Sequence, residues 1–318
     1  MTSIIEIKNL SKKFGQRTAV DHLSLQVEAG DIYGFVGPNG AGKTSTIRMM
    51  ATLLQPSSGD IRVAGHSVLD DPRQVRRLIG YMPDFFGVYN DMKTWEYLDF
   101  FAACYDIPET DRSSLIDDLL ELVELSHRRE DMVDSLSRGM KQRLSLARTL
   151  VHDPRVLILD EPASGLDPRA RIEIRELMVE LAKLGKTIFF STHILSDVAE
   201  ISTRVGIIEA GRLIASGTPE ELQLHLMPHR LIKITLLDRS DEVVTYLSDK
   251  ESVVVINTAL VQNHRSRTRL EFQFAGDDLA LSALLAELTA RGYPIIHFSE
   301  EGRDLEEVFM RATKGLVT

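Results

Sequence analysis

Apolar positions along this chain follow two spacings in turn. Short apolar runs at 4–7, 23–27 and 61–63 are bounded by turn-forming residues and predict strands. A further run, 32–36, ends at a glycine, and over 44–54 the apolar residues recur at helical spacing. Strand, glycine loop and helix in that order open a parallel α/β sheet. From 91 to 150 the pattern is mostly helical, with Leu115, Leu119 and Leu122 spaced by four and three. Residues 156–159 form a strand of four apolar residues closed by two carboxylates. A helix over about 168–184 and a strand over 187–191 follow, and after Gly211 the pattern turns to short strands.

A boundary falls near 222–231, around Met227-Pro228-His229. Beyond it the order is strand (231–237), helix (241–248), strand (251–257), strand (268–274), helix (277–291) and strand (294–298). That βαββαβ order resembles a ferredoxin-like module. A last helix over 304–312 places Leu305, Val308 and Phe309 on one face. Two domains are therefore expected: an α/β domain over 1–225 and a small α+β module over 230–318. The length of 318 residues suits that division.

Hydrophobic residues make up 43% and charged residues 26%, an ordinary globular composition that argues against disorder. The net charge of −10 gives no broad attraction for a phosphate backbone, so no nucleic-acid partner is expected. The single cysteine, Cys104, has no internal disulfide partner and reads as a small buried hydrophobe in a reducing compartment. No stretch reaches the roughly 18 uninterrupted apolar residues that a membrane span needs. The opening MTSIIEIKNLSKKF has only a short apolar patch before its charges, unlike a signal peptide. Work at a membrane would need a span supplied by a partner.

Chemistry is concentrated in the first domain. Gly37-Pro38-Asn39-Gly40-Ala41-Gly42-Lys43-Thr44, followed by Ser45, matches the phosphate-loop pattern. Its glycines let successive N–H groups turn toward phosphates. Lys43 brings a point charge to the β- and γ-phosphates, Thr44 offers a hydroxyl to Mg²⁺, and the following helix directs its positive end at the same anion. Asp160 and Glu161 close an apolar strand. Behind a phosphate loop, the first acid holds the Mg²⁺ hydration shell and the second polarises an attacking water. His193 lies just past the next strand, placed to reach a γ-phosphate. Ser137 stands at the cap position of a helix over 140–151, and Gly139 lies between the two. A helix start with one hydroxyl makes an anion site, and an ordinary capped helix fits the same residues.

The order of phosphate loop, Ser-x-Gly helix start, Asp-Glu strand, Ser164-Gly165-Leu166-Asp167 and His193 resembles the nucleotide-binding domain of the ABC ATPases, over about residues 3 to 222. The resemblance implies a phosphate-loop NTPase fold of ABC type with a helical subdomain at about 85–150. It implies an ATPase subunit of a transporter, with ATP and Mg²⁺, peripheral on the cytoplasmic face of the cell membrane. It further implies a head-to-tail homodimer in which Ser137 and Gly139 cap the ATP held by the facing subunit's phosphate loop. Asp167 belongs to the segment that crosses that interface and positions the water. Phe14 matches the aromatic that stacks on adenine, although a core aromatic fits the same position. Two departures stand out. The usual Leu-Ser-Gly-Gly-Gln has Arg138 and Met140 at its third and fifth places. The usual glutamine after Gly-Tyr-x-Pro is Asp84, a carboxylate able to meet Mg²⁺ or its water but unable to donate a hydrogen bond.

Nine of the twenty aromatic residues fall within 81–105. Such clusters suit interfaces, and a helical core suits Phe100 and Phe101 equally. By the resemblance, Phe85, Phe86 and Tyr89 line the groove that receives a membrane permease subunit. The branch implied is an exporter of drugs, lipids or polysaccharides whose membrane domain is a separate chain. The alternatives are an importer ATPase subunit, a soluble ABC ATPase acting on ribosomes or nucleic acid, and a small-molecule kinase built on the phosphate loop.

Overall fold

The computed structural model describes residues 3–84, 91–226, 229–263 and 265–300, with Phe309 and Thr313. The groove residues Phe85, Phe86 and Tyr89 lie outside this set, as does all but one residue of the helix expected over 304–312. The chain divides into two compact units, the second running from Glu220 to Arg311.

The first unit opens with an antiparallel hairpin of β1 (Ser3–Phe14) and β2 (Arg17–Glu28). β3 (Ile32–Val36) and α1 (Lys43–Met50) follow. Then β4 (Ser58–Val63) and β5 (His66–Ser67) extend the hairpin into a four-stranded sheet of order β2-β1-β4-β5. α2 (Pro72–Leu78) leads into β6 (Ile79–Met82), and the chain then enters the helices α3 (Thr94–Cys104), α4 (Glu109–Leu122) and α5 (Arg138–Leu150). It returns through β7 (Val156–Asp160), α6 (Pro168–Lys183), β8 (Thr187–Thr192) and α7 (Leu195–Ile201). β9 (Arg204–Glu209) and β10 (Arg212–Gly217) complete this series, and α8 (Pro219–Leu226) falls, past its first residue, in the second unit.

The second sheet has the order β10-β9-β3-β8-β7-β6. All of its neighbours pair in parallel except β10, which returns antiparallel to β9. Every residue of β3, β7 and β8 is buried, which is why these strands read as unbroken apolar runs rather than alternating ones. Tyr33 and Phe189 stack at 5.4 Å between ring centroids in the core between neighbouring strands. Because β3, β8 and β7 are adjacent and parallel, their carboxyl ends lie side by side. Loops leaving that edge face one crevice, where ligands of open α/β sheets bind.

In the helical segment the buried residues of α3 are Thr94, Tyr97, Leu98 and Ala102, and those of α4 are Ile116, Leu119 and Leu120. Phe100, expected in this core, is 39% exposed, because the buried stripe of α3 runs one position to its side. Cys104, at the end of the same helix, is exposed rather than buried.

The second unit contains β11 (Arg230–Leu236), α9 (Ser240–Ser248), β12 (Val253–Asn263), β13 (Arg265–Phe274), α10 (Asp278–Ala290) and β14 (Ile295–Glu300). Its sheet has the order β12-β13-β11-β14 with every neighbour antiparallel, a split β-α-β arrangement. Alternation is clear in β11, where Ile232, Ile234 and Leu236 are buried. They pack with Leu270, Phe272 and Phe274 of β13 and with Val243, Leu247, Leu284 and Leu288 of the two helices.

Candidate functional site

The loop between β3 and α1 is fixed by two close approaches of backbone. Gly42 has φ +105, and a Cβ there would lie 2.4 Å from the Ala19 carbonyl oxygen. A Cβ on Gly37 would lie 2.3 Å from the Ile208 carbonyl oxygen. Side chains are thus excluded at both positions, and the backbone itself lines the crevice. No side chain caps α1, and its first turn holds no acidic residue, so its first N–H groups are available to an anion. Lys43 is 6% exposed, and its Nζ donates to the carbonyl oxygens of Gly37 at 2.7 Å and Pro38 at 3.3 Å. It also lies 3.4 Å from Oε1 of Glu161. A buried ammonium held against two carbonyls and part of one carboxylate is matched in charge to an incoming phosphate.

Asp160, the last residue of β7, is buried. Its Oδ1 accepts from Ser191 Oγ at 2.6 Å and from Thr44 Oγ1 at 3.4 Å. Burial pushes its carboxyl above the usual aspartate range, and the nearby charges of Asp84 and Glu161 push the same way. The two hydroxyl donors pull against that shift. A divalent cation would relieve this crowding of acids. Among the described residues no group of three or more His, Cys, Asp or Glu is arranged to hold a metal alone. Thr44 and Asp160 suit the pattern in which Mg²⁺ takes one or two protein oxygens and leaves the rest to phosphates and water.

Glu161 occupies the left-handed backbone region, with φ +52. A non-glycine residue held there is strained, and such strain persists only where the surroundings enforce it. Its N–H donates to both the carbonyl oxygen and the Oγ of Ser191, each at 3.1 Å. The kink turns its side chain back over the crevice, where Oε2 sits 2.8 Å from Nδ1 of His193. A carboxylate only accepts, so in this pair Nδ1 carries a proton and donates it to Glu161.

These groups meet around one cavity of about 510 Å³, lined by Phe14, Asn39, Gly40, Gly42, Lys43, Thr44, Ser45, Asp84, Glu161 and His193. Gly37 and Pro38 reach it through their carbonyls on Lys43, and buried Ala41 supports the loop from behind. Phe14 is 49% exposed, which fits a ring that stacks on a planar ligand better than a core aromatic. Arg17 also lines the cavity and escaped the sequence reading, while Ser164, read there only as the start of the segment ending at Asp167, lines it too. Arg17 pairs with Phe14 across the β1–β2 turn, a register invisible until the hairpin is drawn.

Three expected residues stand apart from this cavity within the single chain. Exposed Ser137 accepts from the Met140 N–H at 3.3 Å as the cap of α5, and Gly139 lies in the first turn of that helix. Asp167 accepts from the Ala170 N–H at 2.9 Å and caps α6. Each therefore has a local structural role here.

A parallel sheet with a glycine loop, a buried lysine and an acid pair at one edge defines a phosphate-loop nucleotide-binding domain. A family model described as "ABC transporter" matches residues 20–164. The chain is 33% identical over 313 residues to the Nod factor export ATP-binding protein I of Cupriavidus metallidurans, covering 98% of each chain. It is 43% identical over 215 residues to the bacitracin transport ATP-binding protein BcrA of Bacillus licheniformis, covering 67% of this chain and 69% of that one. A solved ATP-binding subunit of an ABC transporter superposes with a TM-score of 0.64 at 30% identity, covering 70% of this chain and 93% of the other. The chain belongs to the ABC transporter family. It is an ATP-binding subunit of that family, whose domain hydrolyses ATP.

Proposed function

We propose that this chain hydrolyses Mg-ATP between two copies of its first unit and thereby drives export through a separate membrane subunit. The observation that carries the chemistry is the convergence of Glu161, His193 and Lys43 on one cavity. Lys43 and the N–H groups of the loop hold the β- and γ-phosphates. Glu161 takes the proton of the attacking water, and His193 holds its carboxylate in place while its other ring nitrogen faces the transferred group. Thr44 and Asp160 would hold a magnesium ion with Asp84 at its hydration shell; bound there, it supplies positive charge to the phosphate oxygens. Phe14 stacks on the base. Ser137 and Gly139 act on the nucleotide of the facing chain, and Asp167 lies at the interface between the two.

Export is favoured over import because the likeness to the Nod factor export protein runs through both units rather than through the first alone. The cargo class in this reading is drugs, lipids or polysaccharides, in keeping with relatives named for Nod factor export and bacitracin transport. No helix among the described residues is long and apolar enough to cross a membrane, so the transport path belongs to the partner. Docking of that partner falls to Phe85, Phe86 and Tyr89 in this reading, at the cytoplasmic face.

Replacing the proposed base tests the assignment. Glu161→Gln should keep ATP binding and lose about 10²–10⁴-fold in steady-state turnover. Undiminished turnover in that variant would remove Glu161 from its role.

A further inference from the structure

Arg138 follows the cap residue of α5, and its side chain reaches across to another loop. Its Nη2 donates to the Ser164 carbonyl oxygen at 3.2 Å. The guanidinium also covers Gly165, where an added Cβ would come within 2.3 Å of it. Gly165 has φ +67, a backbone conformation in which a side chain would be strained. One turn further along the same face of α5, buried Gln142 donates Nε2 to the Pro162 carbonyl oxygen at 2.5 Å. The Ser164 N–H in turn donates to the Glu161 carbonyl oxygen at 3.0 Å. Two side chains of α5 thus clasp the turn 161–165, which begins with the proposed base and continues into the segment that ends at Asp167.

Local stability does not account for Arg138. It is the first residue of α5, where a cation opposes the positive end of the helix dipole. No carboxylate among the described residues pairs with it, and its one hydrogen-bond partner there is the Ser164 carbonyl. What the guanidinium does is join the tip of α5 to the Glu161 turn of the same chain.

We propose that Arg138 is a positioning residue that couples the two nucleotide sites of the dimer. Seating of Ser137 and Gly139 on the facing chain's ATP fixes the tip of α5. Through Arg138 and Gln142 the tip then fixes the turn that aims Glu161 at this chain's own ATP. The inference rests on the dimer reading above. Arg138 acts on the rate of cleavage and does not touch the nucleotide.

Steady-state ATPase assays of the full chain test this, alongside nucleotide-dependent dimerisation in a Glu161→Gln background. Arg138→Ala should lower kcat about tenfold while leaving KM for ATP within about twofold, the signature of a misplaced reacting group. Arg138→Lys keeps one donor for the Ser164 carbonyl and should fall between Arg138→Ala and the unaltered chain. Arg138→Ala combined with Glu161→Gln should still dimerise with ATP and melt within a few degrees of Glu161→Gln alone. An unchanged kcat in Arg138→Ala, with Glu161→Gln dimeric, would overturn the coupling and leave the dimer reading standing. A KM raised about tenfold at constant kcat would instead make Arg138 a nucleotide contact and overturn the proposal. If Glu161→Gln itself stayed monomeric with ATP, the dimer reading would fall, and this inference with it.

Discussion

Asp84 lines the nucleotide cavity, and its charge helps push the buried Asp160 carboxyl upward. Asp84→Gln removes that charge and adds a hydrogen-bond donor. Steady-state assays should find ATPase activity kept or raised, and a thousand-fold loss would contradict the place given to this residue. His152 offers a test of folding rather than of catalysis. Its Nε2 lies 2.9 Å from the Ile79 carbonyl oxygen, its ring stacks on Tyr105 at 3.8 Å, and Nδ1 is buried with no partner among the described residues. Burial, the larger influence, holds its pKa below the ordinary 6.5 despite that hydrogen bond. As pH falls through 6.5 the unfolded chain takes up a proton that the folded chain refuses, so the stability contributed by neutral His152 is lost toward lower pH. Melting temperatures at pH 7.5 and 5.5 should drop further for the unaltered chain than for His152→Gln, which keeps a donor but does not titrate. Equal drops would count against the assignment.

At the scale of elements, the site is built by adjacency in the sheet. β3 delivers the phosphate loop, β7 the acid pair and β8 the histidine, and these strands are neighbours in one parallel sheet. The second unit is held by a smaller apolar layer in which Phe272 is 1% exposed. Phe272→Ala should cost about 3–5 kcal/mol in that unit, read as an early denaturation phase, while ATP binding by the first unit persists. A single unshifted transition would show that Phe272 does not carry this core. Much of this was legible beforehand for a physical reason. Phosphate chemistry requires glycines, a lysine and acids at fixed spacings, and full burial makes β3, β7 and β8 plain apolar runs. Less legible was anything set by pairing. β12 runs on to Asn263 and β13 starts at Arg265, past the expected 251–257 and 268–274, because the antiparallel pairing continues to the last residues before the turn. The exposure of Phe100 depends on which stripe of α3 meets its neighbours, and the contact of Arg138 with Ser164 joins residues 26 apart in sequence.

For the molecule as a whole, the residues assigned to the reaction do not all serve one cavity in one chain. Ser137, Gly139 and Asp167 sit away from the nucleotide cleft, and the exposed tip of α5 presents the first two outward. In the proposed pair, a second copy turned head to tail would give those residues a ligand. Binding of ATP can favour that closed pair only as far as the nucleotide binds it more tightly than the open one. The central claim is therefore a statement about association, and sedimentation velocity on the purified Glu161→Gln chain tests it most directly. With Mg-ATP the boundary should move to the dimer position, and with ADP or no nucleotide it should stay at the monomer. A single monomer boundary at high protein concentration and saturating Mg-ATP would contradict the account.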